Sequence, residues 1–386
     1  MTDVLIAGIG QTPVGEHWDT SLRELAYQAI EAAQQDAGGL RPQALFVGNM
    51  LAPTLSGQTH LGALLADFAG LTGIEASVVE AAGASGGAAL RQAYMAVLAG
   101  NVDVALVVGV EKFTDMIGAS TEAALAITTD SDFEAIQGLT PTAQSALLMR
   151  RYMHEFEVPR EAFGVFPITA HANGAHNPNA MFRKAINLET YNRAGVVSDP
   201  LNLFDVAPQA DGAAAVILTR QELLPPNFPH ALVRITGSSL ATDTLALHDR
   251  PDPLVFNAAR LATERACRQA GILPTDVDLF ELYDGSSILA VLSLEAAGFA
   301  ERGSGWKLAQ EGAIDLNGSL PITTLGGLKA RGNPGGATGV YQVVEAVLQL
   351  RGEAGANQVA NARRAMVQAL GGPASSAVTH ILESLN

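Results

Sequence analysis

The chain has 386 residues and carries 23 Lys plus Arg against 39 Asp plus Glu, a net charge of −16. So acidic a balance, with no Lys/Arg run, excludes a polyanion partner, because nucleic-acid binding needs clustered cations that release phosphate counterions. Hydrophobic residues at 48% and charged residues at 16% exclude a disordered or fibrous chain and suit a well-buried α/β enzyme of two domains or one large duplicated one.

The N-terminal MTDVLIAGIGQTPVG lacks a basic start and a signal-length apolar run, and no stretch of about 18 uninterrupted apolar residues follows. The expectation is a soluble cytoplasmic protein with no membrane contact. DVLIAGIG reads as a strand, and the GIGQTPVG turn after it fails as a dinucleotide fingerprint because Pro13 interrupts the glycine spacing. SLRELAYQAIEAAQQDAG then reads as a helix, ALFVGNML as a strand and HLGALLADFAGL as a helix. Such alternation predicts a mostly parallel sheet covered by helices.

ASVVEAAG, ASGGAALRQAYMAVLAG and VDVALVVGVEK give strand, helix and strand, with a Gly-rich turn that contains no strong nucleophile. Gly83-Ala84-Ser85-Gly86-Gly87 formally matches the G-x-S-x-G elbow of serine hydrolases. A hydrolase built on Ser85 lacks an evident acid and His to follow it, and Ser at a helix start is also an ordinary cap. Residues from about 116 to 205 are irregular and rich in His and Asn, as in HANGAHNPNAMFRKAI. A long insertion of that kind is more often a functional loop domain than a spacer.

After the strand DGAAAVILTR the plan repeats, with ALVRITGSSLA, VFNAARLATERACRQAG, DVDLFELYDG and SSILAVLSLEAAG as strand, helix, strand and helix. The single cysteine, Cys267, falls in the first of these helices and reads as a small buried apolar residue. One Cys allows no internal disulfide and no Cys-rich metal site, which fits a reducing compartment. GNPGGATGVYQVVEAVLQLRG mirrors the earlier GASGGAALRQAYMAVLAG, a Gly-rich turn opening a helix. Two such turns imply a duplication and a site where they face each other, since both present free N–H groups at helix starts.

VEAAGASGGAAL, ELYDGSS, GGLKARGNPGGATG, TDTLALHDRPD and DPLNLFDVAPQADGAAAVIL stand in order along the chain. They resemble the motifs of the sterol-carrier type of thiolase, whose patterns are close to VNNNCSTGSTAL, EVHDCFS and GGxxxxGHPxGATG. The resemblance covers nearly the whole chain. It implies a duplicated thiolase fold: two βαβαβαββ halves forming five αβαβα layers, residues 1–225 with the inserted loop domain about 116–205, then residues 226–386. The departures fall on the catalytic positions: the nucleophilic Cys is Gly83, the oxyanion His is Tyr283, the acid/base Cys is Gly285, and the activating His is Asn333, while Asp284 is kept.

Without the thiolate at position 83, cleavage of a β-ketoacyl thioester has no nucleophile. A β-hydroxyacyl thioester needs none, because loss of its hydroxyl proton lets the Cα–Cβ bond break directly. The pattern therefore resembles the thiolase-superfamily aldolases of steroid side-chain degradation, which release propionyl-CoA or acetyl-CoA. The resemblance implies Tyr283 and Tyr341 as acid/base phenols, Asn333 as an oxyanion donor, and Asp284 as an orienting carboxylate. It sets Gly83, Ser85, His171, His248, Gly335 and Gly336 around the substrate, with Gly83 making room for a branched β-carbon. It further implies a homodimer, coenzyme A entering only as part of the substrate, no cofactor or metal in this chain, and a small OB-fold/zinc-ribbon partner that would hold any zinc. The rival reading is a non-catalytic thiolase-like subunit that binds acyl-CoA or scaffolds a partner.

Overall fold

The computed structural model describes residues 3–385. Eleven strands are present among these: β1 (Val4–Gln11), β2 (Ala44–Gly48), β3 (Glu75–Val79), β4 (Val104–Glu111), β5 (Val196–Ser198), β6 (Leu201–Asn202), β7 (Gly212–Arg220), β8 (Val233–Thr242), β9 (Leu279–Glu281), β10 (Arg364–Gly371) and β11 (Ser376–Ser384). Nine of them run in the order β3-β2-β4-β7-β1-β8-β11-β10-β9, and β5 and β6 form a small ribbon. The two halves meet at β1 and β8 through one residue pair, Leu5 with Arg234. They are thus two sheets that touch along one edge.

Strand direction departs from the mostly parallel sheet expected from alternation. Only β2–β3, β2–β4 and β9–β10 are parallel, whereas β1–β7, β4–β7, β8–β11 and β10–β11 are antiparallel. The alternating pattern reports which segments are strands and not their direction, and β7 and β11 run opposite to both of their main neighbours.

The core follows from apolar runs. β4, VALVVGVE, is buried at every position, as a strand covered on both faces must be. The helix Leu22–Asp36 starts at a Ser21/Glu24 capping box and turns Leu25, Ala29, Ile30 and Ala33 inward. It covers β1, β4 and β7 from outside, while Asn257–Ala270 covers β8 and β11. Between the sheets lie Ser85–Leu98 and Thr338–Arg351, which touch strands of both halves and each other. The result is the five-layer αβαβα arrangement.

Glycines let these two central helices meet. A Cβ on Gly86 would stand 2.9 Å from the carbonyl oxygen of Gly336, and one on Gly48 would stand 2.6 Å from Gly86 Cα. A Cβ on Gly339 would run into the backbone nitrogen of Gly87. The repeated Gly-rich turns therefore face each other, and close backbone approach is the reason for their composition.

The insertion is more ordered than its sequence suggests. It contains the helices Ala119–Ala126, Pro141–Phe156 and Val165–Gly174, the second capped by Thr140 with Pro141 in its first turn. Lys329 donates to the carbonyls of Leu203 and Val206 at 3.0 and 2.6 Å and so ties the end of this region to the second half.

Candidate active site

A cavity of about 80 Å³ opens where the two central helices start. It is large enough for several water molecules, and so for a short acyl group. Its inner wall is formed by Gly83, Tyr283, Gly285, Ser286 and Asn333, and its outer wall by Leu125, Thr128, Pro141 and Ser145 of the inserted region. Tyr283 is the one titratable side chain among the described residues that line it.

Tyr283 fills the space around both glycines. A Cβ on Gly83 would lie 2.7 Å from Tyr283 Oη and 2.6 Å from the Leu370 carbonyl oxygen, and a Cβ on Gly285 would lie 2.6 Å from Tyr283 Cε1. Neither position accepts a side chain while the ring is there. Gly83 therefore does not open room for a branched substrate, as the sequence suggested, because the phenol occupies that room. The three substitutions form one steric unit.

Burial pushes the Tyr283 phenol up to about 12, and a hydrogen bond from Asn333 opposes the rise. Asn333 is nearly buried, and its Oδ1 accepts from Gly335 N at 3.2 Å and from Thr338 Oγ1 at 3.0 Å. The acceptor end is thus committed to the helix start, which leaves the amide NH₂ to donate towards Tyr283. The amide lines the cavity beside the phenol, and its two N–H groups are enough to serve both Tyr283 and a substrate oxygen.

Tyr341 lies elsewhere. Its side chain is fully buried, its Oη donates to the Thr12 carbonyl at 3.0 Å and pairs with Thr12 Oγ1 at 3.1 Å, and its ring lies under the Arg331 guanidinium at 4.8 Å. Burial raises its pKa further than that of Tyr283. It is absent from the cavity wall. The acid/base role expected of it fails on helical phase, since it sits eight positions after Asn333 on a helix buried on all sides.

Asp284 is buried behind the wall, where it accepts from Leu328 N at 2.7 Å and Lys329 N at 3.2 Å. Burial pushes its carboxyl up to about 6, and these donors hold it below that of an unpartnered group. It shapes the 326–331 turn, as an orienting residue would. Ser85 is also committed: its hydroxyl donates to the Ala82 carbonyl at 2.6 Å and accepts from Ala81 N at 2.9 Å. With both bonds to backbone and no place on the cavity wall, it is a turn residue, and the serine hydrolase reading fails.

The remaining expected substrate contacts are dispersed. His171 is buried, with Nδ1 3.1 Å from the Lys184 carbonyl and its ring stacked on Phe182. His248 is half exposed, 3.5 Å from Asp249 and near the Phe133 ring. Neither lines the cavity. Gly335 and Gly336 pack under Met50, and Gly336 N donates to Glu111 Oε2 at 3.1 Å.

Three residues escaped the sequence reading. Glu111 is fully buried and also accepts from Asn49 Nδ2, Met50 N and Leu51 N. Burial pushes its carboxyl up to about 7 against those donors. It clamps the second helix start to the loop after β2. Ser286 and Gln209 line the cavity, and each has a buried oxygen without a partner. A signal for Ser286 was present, because ELYDGSS has Ser where EVHDCFS has Phe.

Residues 4–222 match the thiolase N-terminal domain and residues 239–384 the thiolase C-terminal domain-like family. The chain belongs to the thiolase superfamily and is a thiolase-like acyl-CoA enzyme. It is 41% identical over 383 residues to an acetyl-CoA acetyltransferase of Methanothermobacter thermautotrophicus, covering 99% of both chains. It is 31% identical over 378 residues to the 17-hydroxy-3-oxo-4-pregnene-20-carboxyl-CoA lyase of Mycobacterium tuberculosis, covering 94% of this chain and 95% of that one. Among solved structures it is similar to the Ltp2-ChsH2(DUF35) aldolase, with a TM-score of 0.83 and 25% identity over 99% of this chain and 98% of that one. Among the described residues no helix is long and apolar enough to cross a membrane.

Proposed function

We propose that this protein cleaves a β-hydroxyacyl-CoA by a retro-aldol reaction, giving a ketone and a short acyl-CoA such as propionyl-CoA or acetyl-CoA. The observation that carries the reading is Tyr283, which stands where the thiolase nucleophile and acid/base cysteine would need space. Acetyl transfer through a cysteine has no residue to use it: position 83 is Gly, and the single Cys267 is buried in an outer helix, its thiol pushed up to about 11 by burial.

The chemistry balances without a covalent intermediate. The substrate's β-oxygen gives its proton to Tyr283 Oη in the phenolate form, and the O–H electron pair becomes the new carbonyl. The Cα–Cβ pair moves onto Cα as the thioester enolate, which takes that proton back from Tyr283 Oη and so restores the phenolate. Asn333 favours the phenolate by donating to it, and so acts as a positioning residue for the base. Coenzyme A enters only as the thiol portion of the substrate.

A bulky apolar ketone such as a steroid nucleus suits a cavity lined on its outer side by Leu125 and Pro141, with Ile127 exposed next to Thr128 in the chain. The likeness to an aldolase that carries a DUF35 component supports a small OB-fold/zinc-ribbon partner here, any zinc lying in that partner, and the thiolase fold supports a homodimer. The test is incubation of the protein, alone and with its co-purifying partner, with tertiary β-hydroxyacyl-CoA thioesters, steroidal and simple. Ketone and short acyl-CoA should appear in equal amounts. No turnover across that set leaves a non-catalytic acyl-CoA-binding subunit instead.

A further inference from the structure

Two serines stand side by side at the start of the helix Ser287–Ala296, and they are used differently. Ser287 donates its hydroxyl to Asp205 Oδ1 at 2.8 Å and its N–H to the Asp205 carbonyl at 2.9 Å. Ser286 occupies the cap position, with extended backbone at φ −150° and ψ 161°, yet its hydroxyl caps nothing. Its carbonyl accepts from Leu289 N and Ala290 N, and the neighbouring Gly285 carbonyl accepts from Ala207 N at 3.1 Å, so the backbone is fixed. The side chain is 2% exposed and lines the cavity, and its Oγ has no partner.

A buried hydroxyl left without a partner costs stability that an alanine would not. The same cavity wall holds one other buried polar atom in this condition, the Gln209 Oε1 acceptor. A cavity with an idle hydroxyl at a helix start and an idle acceptor suits a ligand that brings both an oxygen and an O–H. A β-hydroxyacyl thioester has both and can donate to Gln209 Oε1, whereas a deoxyacyl thioester has no donor for it.

We propose that Ser286 Oγ donates to the thioester carbonyl oxygen of the bound acyl-CoA, and that Gln209 Oε1 accepts from its β-hydroxyl while Tyr283 is the neutral phenol, the same proton turning to Tyr283 Oη when that group is the phenolate. The Ser286 hydrogen bond strengthens as that carbonyl becomes the enolate, helped by the positive end of the helix. Gln209 selects hydroxy over deoxy acyl chains. The choice of these two oxygens rests on the retro-aldol reading; the presence of a polar ligand at both groups does not.

The experiment is isotope-edited infrared spectroscopy of propionyl-CoA carrying a ¹³C carbonyl, bound to the wild type and to Ser286→Ala. Calorimetry accompanies it, comparing 3-hydroxy-3-methylbutyryl-CoA with 3-methylbutyryl-CoA on the wild type and Gln209→Met. The bound carbonyl band should lie below that of free propionyl-CoA in the wild type and return towards it in Ser286→Ala. The hydroxy compound should bind at least about tenfold tighter in the wild type, a preference lost in Gln209→Met. Ser286→Ala should keep or raise the melting temperature, since it removes an unpartnered hydroxyl.

An unmoved carbonyl band in Ser286→Ala, no hydroxy preference in the wild type, or no binding of either thioester overturns the assignment. None of these readings requires turnover. A wild type that shows both signatures but cleaves nothing defeats the proposed reaction and leaves this site standing, whereas cleavage with an unmoved band defeats this site alone.

Discussion

The hydroxyl of Tyr283 stands 2.7 Å from the point where a Cβ on Gly83 would project, so the phenol and a cysteine at position 83 cannot share the site. The residue pair, more than either residue, separates this protein from a cysteine-dependent thiolase. The missing nucleophile and the new phenol are one structural change.

Gly83→Cys should therefore destabilise the protein, by about 1–3 kcal/mol for an overpacked site. Tyr283→His combined with Gly83→Cys should recover the part of that loss due to the phenol, leaving the part due to the Leu370 carbonyl, 2.6 Å from the new Cβ. Denaturant unfolding of the two single variants and the double variant measures the coupling. Additive losses would show that the phenol moves aside at little cost.

Tyr283→Phe should lower lyase turnover by about 10²–10⁴-fold, the usual range for a proton-transfer group, with little change in melting temperature. With the phenol raised to about 12, roughly one molecule in 10⁵ carries the phenolate at pH 7. Turnover should consequently rise about tenfold per pH unit from pH 6 to 9. Removing the Asn333 amide by Asn333→Ala should move that profile to higher pH. A pH-independent rate in the wild type would mean that Tyr283 works as a neutral donor and not as the base.

Tyr341→Phe serves as the contrasting variant. It removes the hydroxyl bonded to both Thr12 oxygens and should cost about 1–2 kcal/mol of stability. Steady-state kinetics should stay within about threefold of wild type, because uniform loss of a remote buried bond does not touch the transition state. A large fall in turnover at unchanged stability would return Tyr341 to the chemistry.

His380 gives a pH dependence of folding. Burial lowers its pKa to about 4, and Nε2 lies 3.0 Å from the Gly87 carbonyl, beside the first central helix. The unfolded chain binds this proton at a higher pH than the folded one does, so folding loses stability as pH falls from about 6.5 to 4. The loss from this group alone approaches about 3 kcal/mol. His380→Gln should flatten that part of the profile in urea titrations at pH 7, 5.5 and 4.5. An unchanged slope would place the acid sensitivity elsewhere.

Much of this protein was legible in the chain. The ordered motifs gave the thiolase fold, and the paired Gly-rich turns gave the meeting point of the two central helices, because backbone contact there leaves no room for side chains. The Gly83, Tyr283, Gly285 and Asn333 positions pointed to one site because they fall at strand ends and helix starts that the fold must bring together. Strand direction was not legible, since alternation of apolar segments is the same in parallel and antiparallel sheets.

What only the tertiary structure decided is which polar atoms remain free. Tyr283 and Tyr341 look alike in sequence, yet one lines the cavity and the other is held by Thr12, and helical phase against a second sheet makes the difference. Ser286 and Ser287 differ by one position, yet Asp205 takes the hydroxyl of one and leaves the other idle. Sequence fixes the kinds of groups near a site through local spacing, but their hydrogen bonds depend on partners 82 residues away, as between Asp205 and Ser287, and in the closest cases 329 residues away, as between Thr12 and Tyr341.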